Sequence, residues 1–161
     1  MTTIAFDGRT LAADSRATEG DESAKSRCVK MWRLRSRVAP VQGDVLLAMS
    51  GDEFAALLFK DWLEEGGEPK LVARGVRDDE DFDVLVVHKS GLYNANHLCR
   101  LERSAEEQWA HGTGRQAALA AMRCGKSAVD AVRIASGIDP YTGGRVVSMS
   151  LDEPRPKRRH K

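Results

Sequence analysis

At 161 residues the chain is expected to form one domain with a substantial core. A net charge of +1 gives no electrostatic ground for binding nucleic acid or a membrane surface, and no apolar run approaches the ~20 residues of a membrane helix. Three scattered cysteines, Cys28, Cys99 and Cys124, argue for a reducing cytoplasm and against a disulfide framework or a zinc site.

The residues after Met1 alternate as a strand does and lack the basic stretch and apolar core of a signal peptide, so none is expected. Thr3 to Phe6, the turn Asp7-Gly8, and Thr10 to Ala13 predict a β-hairpin. Residues 18–27 are polar and read as a loop, and Cys28 to Leu34 as a short strand. After a turn at Pro40 to Asp44, Val45 to Met49 is nearly continuous in its apolar residues, which predicts a buried strand. Over residues 52–64 the period changes: Phe54, Leu57, Leu58 and Trp62 recur at helical spacing, Asp52 is the expected N-cap, and Gly66-Gly67 the stop.

Residues 68–81, with Pro69, Gly75 and an acidic run, are expected to be mostly irregular. Val84 to Val87 and Leu92 to Asn94 predict a second hairpin across Lys89-Ser90-Gly91, with further short strands near 98–101 and 108–111. Arg115 to Cys124 reads as an alanine-rich helix ending at Gly125. A second helix starts at Ser127, with Asp130 completing a capping box, and is expected to end at Gly137. Val147, Met149 and Leu151 alternate in a last strand, and the basic tail 154–161 is expected to be disordered. Hairpin-linked strands grouped with helices suggest helices outside packed antiparallel sheets, an α+β arrangement.

The head of the chain carries a chemical possibility. With Met1 removed, Thr2 has a hydroxyl and a free amine side by side, and such an amine can take the hydroxyl's proton and activate it. Thr2-Thr3-Ile4, the stretch Ala12-Ala13-Asp14-Ser15-Arg16-Ala17-Thr18 and the later Lys30 resemble the proteasome β-subunit and HslV peptidase family of N-terminal-nucleophile (Ntn) hydrolases. Ser50-Gly51 between a buried strand and a helix, Gly112-Thr113-Gly114 before a helix, and Asp139-Pro140-Tyr141-Thr142-Gly143-Gly144 extend the resemblance in the family's order, as does the sixteen-residue step from Asp14 to Lys30. Each piece alone has an ordinary structural reading. Their joint order carries the resemblance.

The resemblance implies a four-layer α-β-β-α Ntn-hydrolase sandwich over residues 1–153. Residues 65–82 are too few and too interrupted for the family's second long helix, so that outer layer is expected to be reduced. It implies a threonine endopeptidase that needs no cofactor or metal and works through an acyl-enzyme on Thr2. Lys30 would lower the amine's pKa, Asp14 would keep Lys30 charged and oriented, and Thr113, Asp139 and Thr142 would hold the amine or a nearby water. The N–H of Gly51 would face the oxyanion. Ala17, Thr18, Cys28, Met49 and Glu53 would border the substrate pocket, and Ala17 and Met49 suggest an apolar preference that Glu53 could turn toward basic side chains.

As partners the resemblance implies unfolded protein or peptide substrates, further copies in a homo-oligomeric ring, and an ATP-dependent unfoldase. Two other functions share the pattern: an Ntn-type amidase for small molecules, and a non-catalytic scaffold that retains Met1. His88, His97, His111 and His160 have no metal-like spacing, and only His111, beside Gly112, is expected near the site. Trp32, Trp62 and Trp109 read as packing residues, and the basic tail as solvated.

Overall fold

Alternation along the first thirteen residues sorts their side chains onto two faces, and the layers of the molecule follow from that. The computed structural model describes residues 2–19, 22–69, 82–95 and 98–154. The strands are β1 (Thr3–Phe6), β2 (Thr10–Ala13), β3 (Arg16–Glu19), β4 (Glu22–Arg27), β5 (Met31–Ser36) and β6 (Gly43–Gly51). After helix α1 (Glu53–Glu65) come β7 (Phe82–His88), β8 (Gly91–Ala95), β9 (Leu101–Arg103) and β10 (Trp109–Gly112). Helices α2 (Arg115–Arg123) and α3 (Ala128–Ile138) precede β11 (Val147–Ser150).

One antiparallel sheet has the order β10-β1-β2-β11 and the other β5-β6-β7-β8-β9. Ile4, Phe6, Leu11 and Ala13 of the first sheet meet Met31, Leu46, Ala48, Leu85 and Val87 of the second. The alternate residues of the first sheet, Ala5, Ala12 and Ala110, lie against Ala118, Ala121, Ala131 and Ala135 of α2 and α3. Alanine on both sides lets helix and sheet approach closely. On the far side, Val45, Leu47, Met49, Val84 and Val86 pack on Ala55, Phe59, Trp62 and Leu63 of α1. Strand β6 is therefore covered on both faces, which is why its sequence is a continuous apolar run. The result is four layers: α1, the five-stranded sheet, the four-stranded sheet, then α2 with α3. This is the α-β-β-α sandwich expected from the sequence.

Local chemistry sets the helix ends. The Asp52 carboxylate accepts the N–H of Ala55 at 2.7 Å at the start of α1. Gly66 ends that helix at φ 75°, where its N–H reaches the carbonyl of Trp62. Ser127 caps α3 by accepting the N–H of Asp130 at 3.2 Å.

Several expectations need correction. Residues 18–19 and 22–27, expected as loop, belong to strands: β3 and β4 form a two-stranded antiparallel ribbon, Ala17 opposite Ser26. Their polar sequence has no alternation to announce a strand, so only backbone pairing reveals it. The strand expected from Cys28 begins instead at Met31. Helix α3 runs through Gly137 to Ile138, because a glycine facing open space weakens a helix by about 1 kcal/mol without breaking it. The packed face of α1 is Ala55, Ala56, Phe59, Trp62 and Leu63, whereas Phe54 and Leu57 are 52% and 44% exposed. Residues 70–81, where a reduced second helix and irregular chain are expected, lie outside the described residues, as do 155–161 of the tail. Among the described residues no helix is long and apolar enough to cross a membrane.

Phe59 is fully buried between α1 and the sheet. Phe59→Ala is expected to cost roughly 3–5 kcal/mol of unfolding free energy in urea titration. Leu57→Ala, two residues away on the exposed face, should stay within about 0.5 kcal/mol.

Candidate active site

Strand β2 ends by delivering Asp14 into the interior, where its side chain has no solvent contact. A carboxylate there must be fully bonded or the fold would reject it. Five donors meet it. Oδ1 accepts Thr2 Oγ1 at 3.0 Å, the N–H of Thr3 at 2.8 Å and Lys30 Nζ at 2.8 Å. Oδ2 accepts the N–H groups of Arg16 at 3.2 Å and Gly143 at 3.0 Å. The Thr2 hydroxyl and the Lys30 ammonium thus converge on one carboxylate oxygen.

Lys30 sits just before β5 and is 7% exposed. Its ammonium donates also to the carbonyl of Arg16 at 2.6 Å. Burial pulls the Lys30 pKa below the usual lysine range, against the opposing attraction and hydrogen bond of Asp14.

A second carboxylate organises the neighbouring residues. Asp139, directly after α3, accepts the Thr142 hydroxyl at 2.5 Å and the Thr113 hydroxyl on Oδ2, and the N–H of Tyr141 at 3.1 Å on Oδ1. Burial works against its charge, but the two hydroxyls and the Tyr141 N–H outweigh it and hold its carboxyl below the usual range. Thr3 links the two carboxylates: its N–H is on Asp14, and its hydroxyl shares a 2.5 Å hydrogen bond with that of Thr142.

Two glycines make room for this packing. Gly112, at φ 91°, lies so close to Thr2 that an added Cβ would fall 1.8 Å from the Thr2 carbonyl oxygen. At Gly114 a Cβ would meet the Thr3 hydroxyl at 2.2 Å. The Gly112-Thr113-Gly114 segment is thus the imprint of β1 and its first residues on the start of α2.

Thr2 opens into a cavity of about 440 Å³ lined also by Ser50, Gly51, His111, Gly112, Thr113, Arg115 and Gln116. Gly51 ends β6 at φ 97°. A larger cavity, about 820 Å³, lies at the other end of the sandwich, by the turns at Gly8 and Lys89. It contains none of these residues.

The structure therefore brings Thr2, Asp14 and Lys30 into one cluster, Thr113, Asp139 and Thr142 into a second bonded to it through Thr3, and Gly51 to the Thr2 cavity. The expected pocket residues are more spread. Ala17 is half-buried in β3, and Thr18 follows it in that strand. Cys28 is half-buried beside a 310 Å³ cavity that Asp14 and Lys30 also line. Burial pushes its thiol pKa up, with Lys30 opposing and Glu53 adding to the rise. Glu53 is exposed in the first turn of α1, and Met49 is buried in the core facing α1. Ala17, Cys28, Met49 and Glu53 do not line the Thr2 cavity.

Thr3, Arg16 and Ser50, which stand in the motifs without an expected role, and Asp83, which stands in none, also belong to the site. Ser50 Oγ lies 2.8 Å from His111 Nδ1, and His111 Nε2 lies 3.0 Å from Asp83 Oδ2. The hydrogen bond from His111 holds the Asp83 carboxyl below the usual range, against its burial. Ser50 and Asp83 face each other across β6 and β7, and His111 comes from the other sheet. No local sequence signal joins three such positions. Among the described residues no cluster of His, Cys, Asp and Glu could hold a metal ion.

Removing Asp14 strands the Lys30 charge and four further donors, so Asp14→Ala is expected to cost roughly 3–5 kcal/mol in urea titration. Lys30→Met should cost less, because Asp14 keeps its bonds from Thr2, Thr3, Arg16 and Gly143. Asp139 gives a pH signature. Its folded pKa lies below the unfolded value of about 3.9, so its contribution to stability is present above that value and is lost as pH falls through the folded pKa. Asp139→Asn should accordingly flatten the acid limb of stability against pH.

At the level of sequence no family model matches the chain, and no curated protein does. Solved structures do match. HslV from Trypanosoma brucei aligns over 92% of this chain and 97% of its own, with a TM-score of 0.62 and 20% identity. BPH from Thiobacillus denitrificans aligns over 95% and 99%, with a TM-score of 0.65 and 22% identity. Anbu, an ancestral β-subunit, from Yersinia bercovieri aligns over 92% and 80%, with a TM-score of 0.63 and 12% identity. At these identities the likeness is one of fold: the chain has the Ntn-hydrolase fold of HslV and the proteasome-like proteins BPH and Anbu.

Proposed function

We propose that this chain is a threonine endopeptidase of the HslV/proteasome type that works once Met1 has been removed. One observation carries the reading: the hydroxyl of Thr2 and the ammonium of Lys30 share a single oxygen of the buried Asp14, beside the cavity that Gly51 borders. A free α-amine has a pKa of roughly 8, and the Lys30 charge nearby lowers it, so the amine is neutral often enough to act as a base. It takes the Thr2 proton as Oγ1 attacks the peptide carbonyl carbon. The developing oxyanion is met by the Gly51 N–H, a donor of a kind worth about 3 kcal/mol. The amine then returns its proton to the leaving nitrogen as the C–N bond breaks, which leaves an ester on Thr2. Water, activated by the same amine, hydrolyses the ester. Asp14 fixes the Lys30 ammonium and the Thr2 hydroxyl, while Thr113, Asp139 and Thr142 hold the amine or a water beside it. No metal or cofactor enters these steps.

The substrates are unfolded proteins or peptides. Cys28, beside the cavity that Asp14 and Lys30 also line, borders the site for the side chain before the cut bond together with Ala17 and Glu53, which favours medium or large apolar residues; Met49, buried in the core facing α1, takes no part. A clear preference for arginine-ended over leucine-ended fluorogenic peptides would assign the choice to Glu53 instead. The working form is a homo-oligomeric ring in the cytoplasm, served by an ATP-dependent unfoldase.

Purified protein should have a mass lower by one methionine and should hydrolyse a leucine-ended fluorogenic peptide. BPH has been solved in complex with epoxomicin, and the same compound should add its mass to this chain but not to Thr2→Ala. Thr2→Ala should keep the fold and oligomer while losing on the order of 10⁴ in kcat, and Lys30→Ala should be similarly inactive. Full activity in Thr2→Ala overturns the nucleophile. Retained Met1 selects the scaffold function. A monomer or dimer that cleaves small amides and leaves casein intact selects the amidase.

A further inference from the structure

Ser50, His111 and Asp83 take no part in the steps above, yet Ser50 and His111 line the Thr2 cavity. The His111 ring is fixed on three sides. Trp109 stacks on it at a centroid distance of 5.6 Å and an interplanar angle of 23°. Asp83 lies at Nε2 and Ser50 at Nδ1. An ionised carboxylate only accepts hydrogen bonds, so Nε2 carries a proton in either charge state of the ring. Nδ1 is the position that changes. In the neutral ring it is a lone pair, and the Ser50 hydroxyl must spend its one proton on it. In the imidazolium it is an N–H donating to Ser50 Oγ, and the Ser50 proton is free to turn into the cavity.

We propose that Ser50 is a second hydrogen-bond donor for the carbonyl oxygen faced by Gly51, present only while His111 is protonated, with His111 and Asp83 as its positioning residues. The inference rests on the Thr2 reading. Ser50 immediately precedes Gly51, so hydroxyl and N–H leave adjacent residues at the cavity wall. Among the described residues the charged groups around the ring are Asp83 from β7, Arg115 from the first turn of α2, and the Thr2 amine of the processed chain; β1 and β10 present Ile4 and Trp109. The imidazolium keeps its proton throughout hydrolysis and only sets the direction of the hydroxyl.

Two titrations then shape the rate. The terminal amine must be neutral, so kcat falls toward acid. His111 must be charged, so kcat also falls toward alkali. The test is the pH profile of kcat for peptide hydrolysis, read with ring-nitrogen NMR of His111. Ser50→Ala and His111→Gln should lose about 10-fold in kcat where the NMR shows wild-type His111 as an imidazolium, with the ratio to wild type approaching one where it shows the ring neutral. Ser50→Thr, which keeps a hydroxyl, should keep the alkaline limb. Asp83→Asn should move that limb to lower pH, because the imidazolium loses its counter-ion. A purely structural role would lower kcat equally at every pH, and that result overturns the proposal. The NMR separates the two readings. A wild type that hydrolyses no peptide sinks the Thr2 chemistry, and the ring spectra still decide the relay. A neutral ring protonated at Nδ1, or an Asp83→Asn variant whose His111 titrates as in wild type, overturns it.

Discussion

The buried carboxylate of Asp14 is the constraint from which the arrangement at this end of the molecule follows. Ionised and without solvent contact, it is tolerable only with its lone pairs satisfied. The donors come from four separate places in the chain: the start of β1, the start of β3, the residue before β5, and the loop before β11. Each segment is held where Asp14 can reach it. The attraction between Lys30 and Asp14 is offset by the cost of burying both, so its net contribution to stability is modest. What it fixes is place: a hydroxyl and an ammonium at one oxygen.

Close approach is the second requirement, and small residues supply it. Gly112 lets β10 pass beside Thr2, and Gly114 lets α2 start against Thr3. Below them Ala5 and Ala12 on the sheet meet the alanines of α2 and α3. Larger side chains in these places would lift the helical layer away and with it Asp139, whose hydroxyl partners Thr113 and Thr142 flank the same strand end. The alanine-rich composition of the two helices and the geometry of the site share one cause.

Much of the layering was legible because local rules and burial agree. Val45 to Met49 reads as a strand covered on both faces and is one, and Asp52 and Ser127 are caps whose side chains make the expected bonds. The β3–β4 ribbon was not legible, since its polar residues carry no period. The rotation of the packed face of α1 was missed for a different reason: Phe54 and Leu57 are apolar at the right spacing, and only the position of the sheet decides which stripe is covered. At the site, the convergence of Thr2, Asp14 and Lys30 came from motif order. Thr3, though adjacent to Thr2, gave no signal, because its role depends on Thr142, far along the chain. Ser50, His111 and Asp83 come from strands of two sheets and share no sequence neighbourhood.

The two carboxylate centres also constrain each other. Thr3 opens β1, an inner strand of the four-stranded sheet, paired with Gly112 of β10, and it bonds to Asp14 through its backbone and to Thr142 through its side chain. Thr142 reaches Asp139, and Gly143, the next residue, returns to Asp14. The bonds close a ring through β1, the segment 139–143 and the end of β2. In such a ring a shift of any one member stretches bonds on both carboxylates, so Thr2 at the strand end is positioned from two directions. A residue that must be both attacking group and base has no spare side chain to correct its aim. The surrounding backbone has to supply that precision, and the closed ring is how this sequence does so.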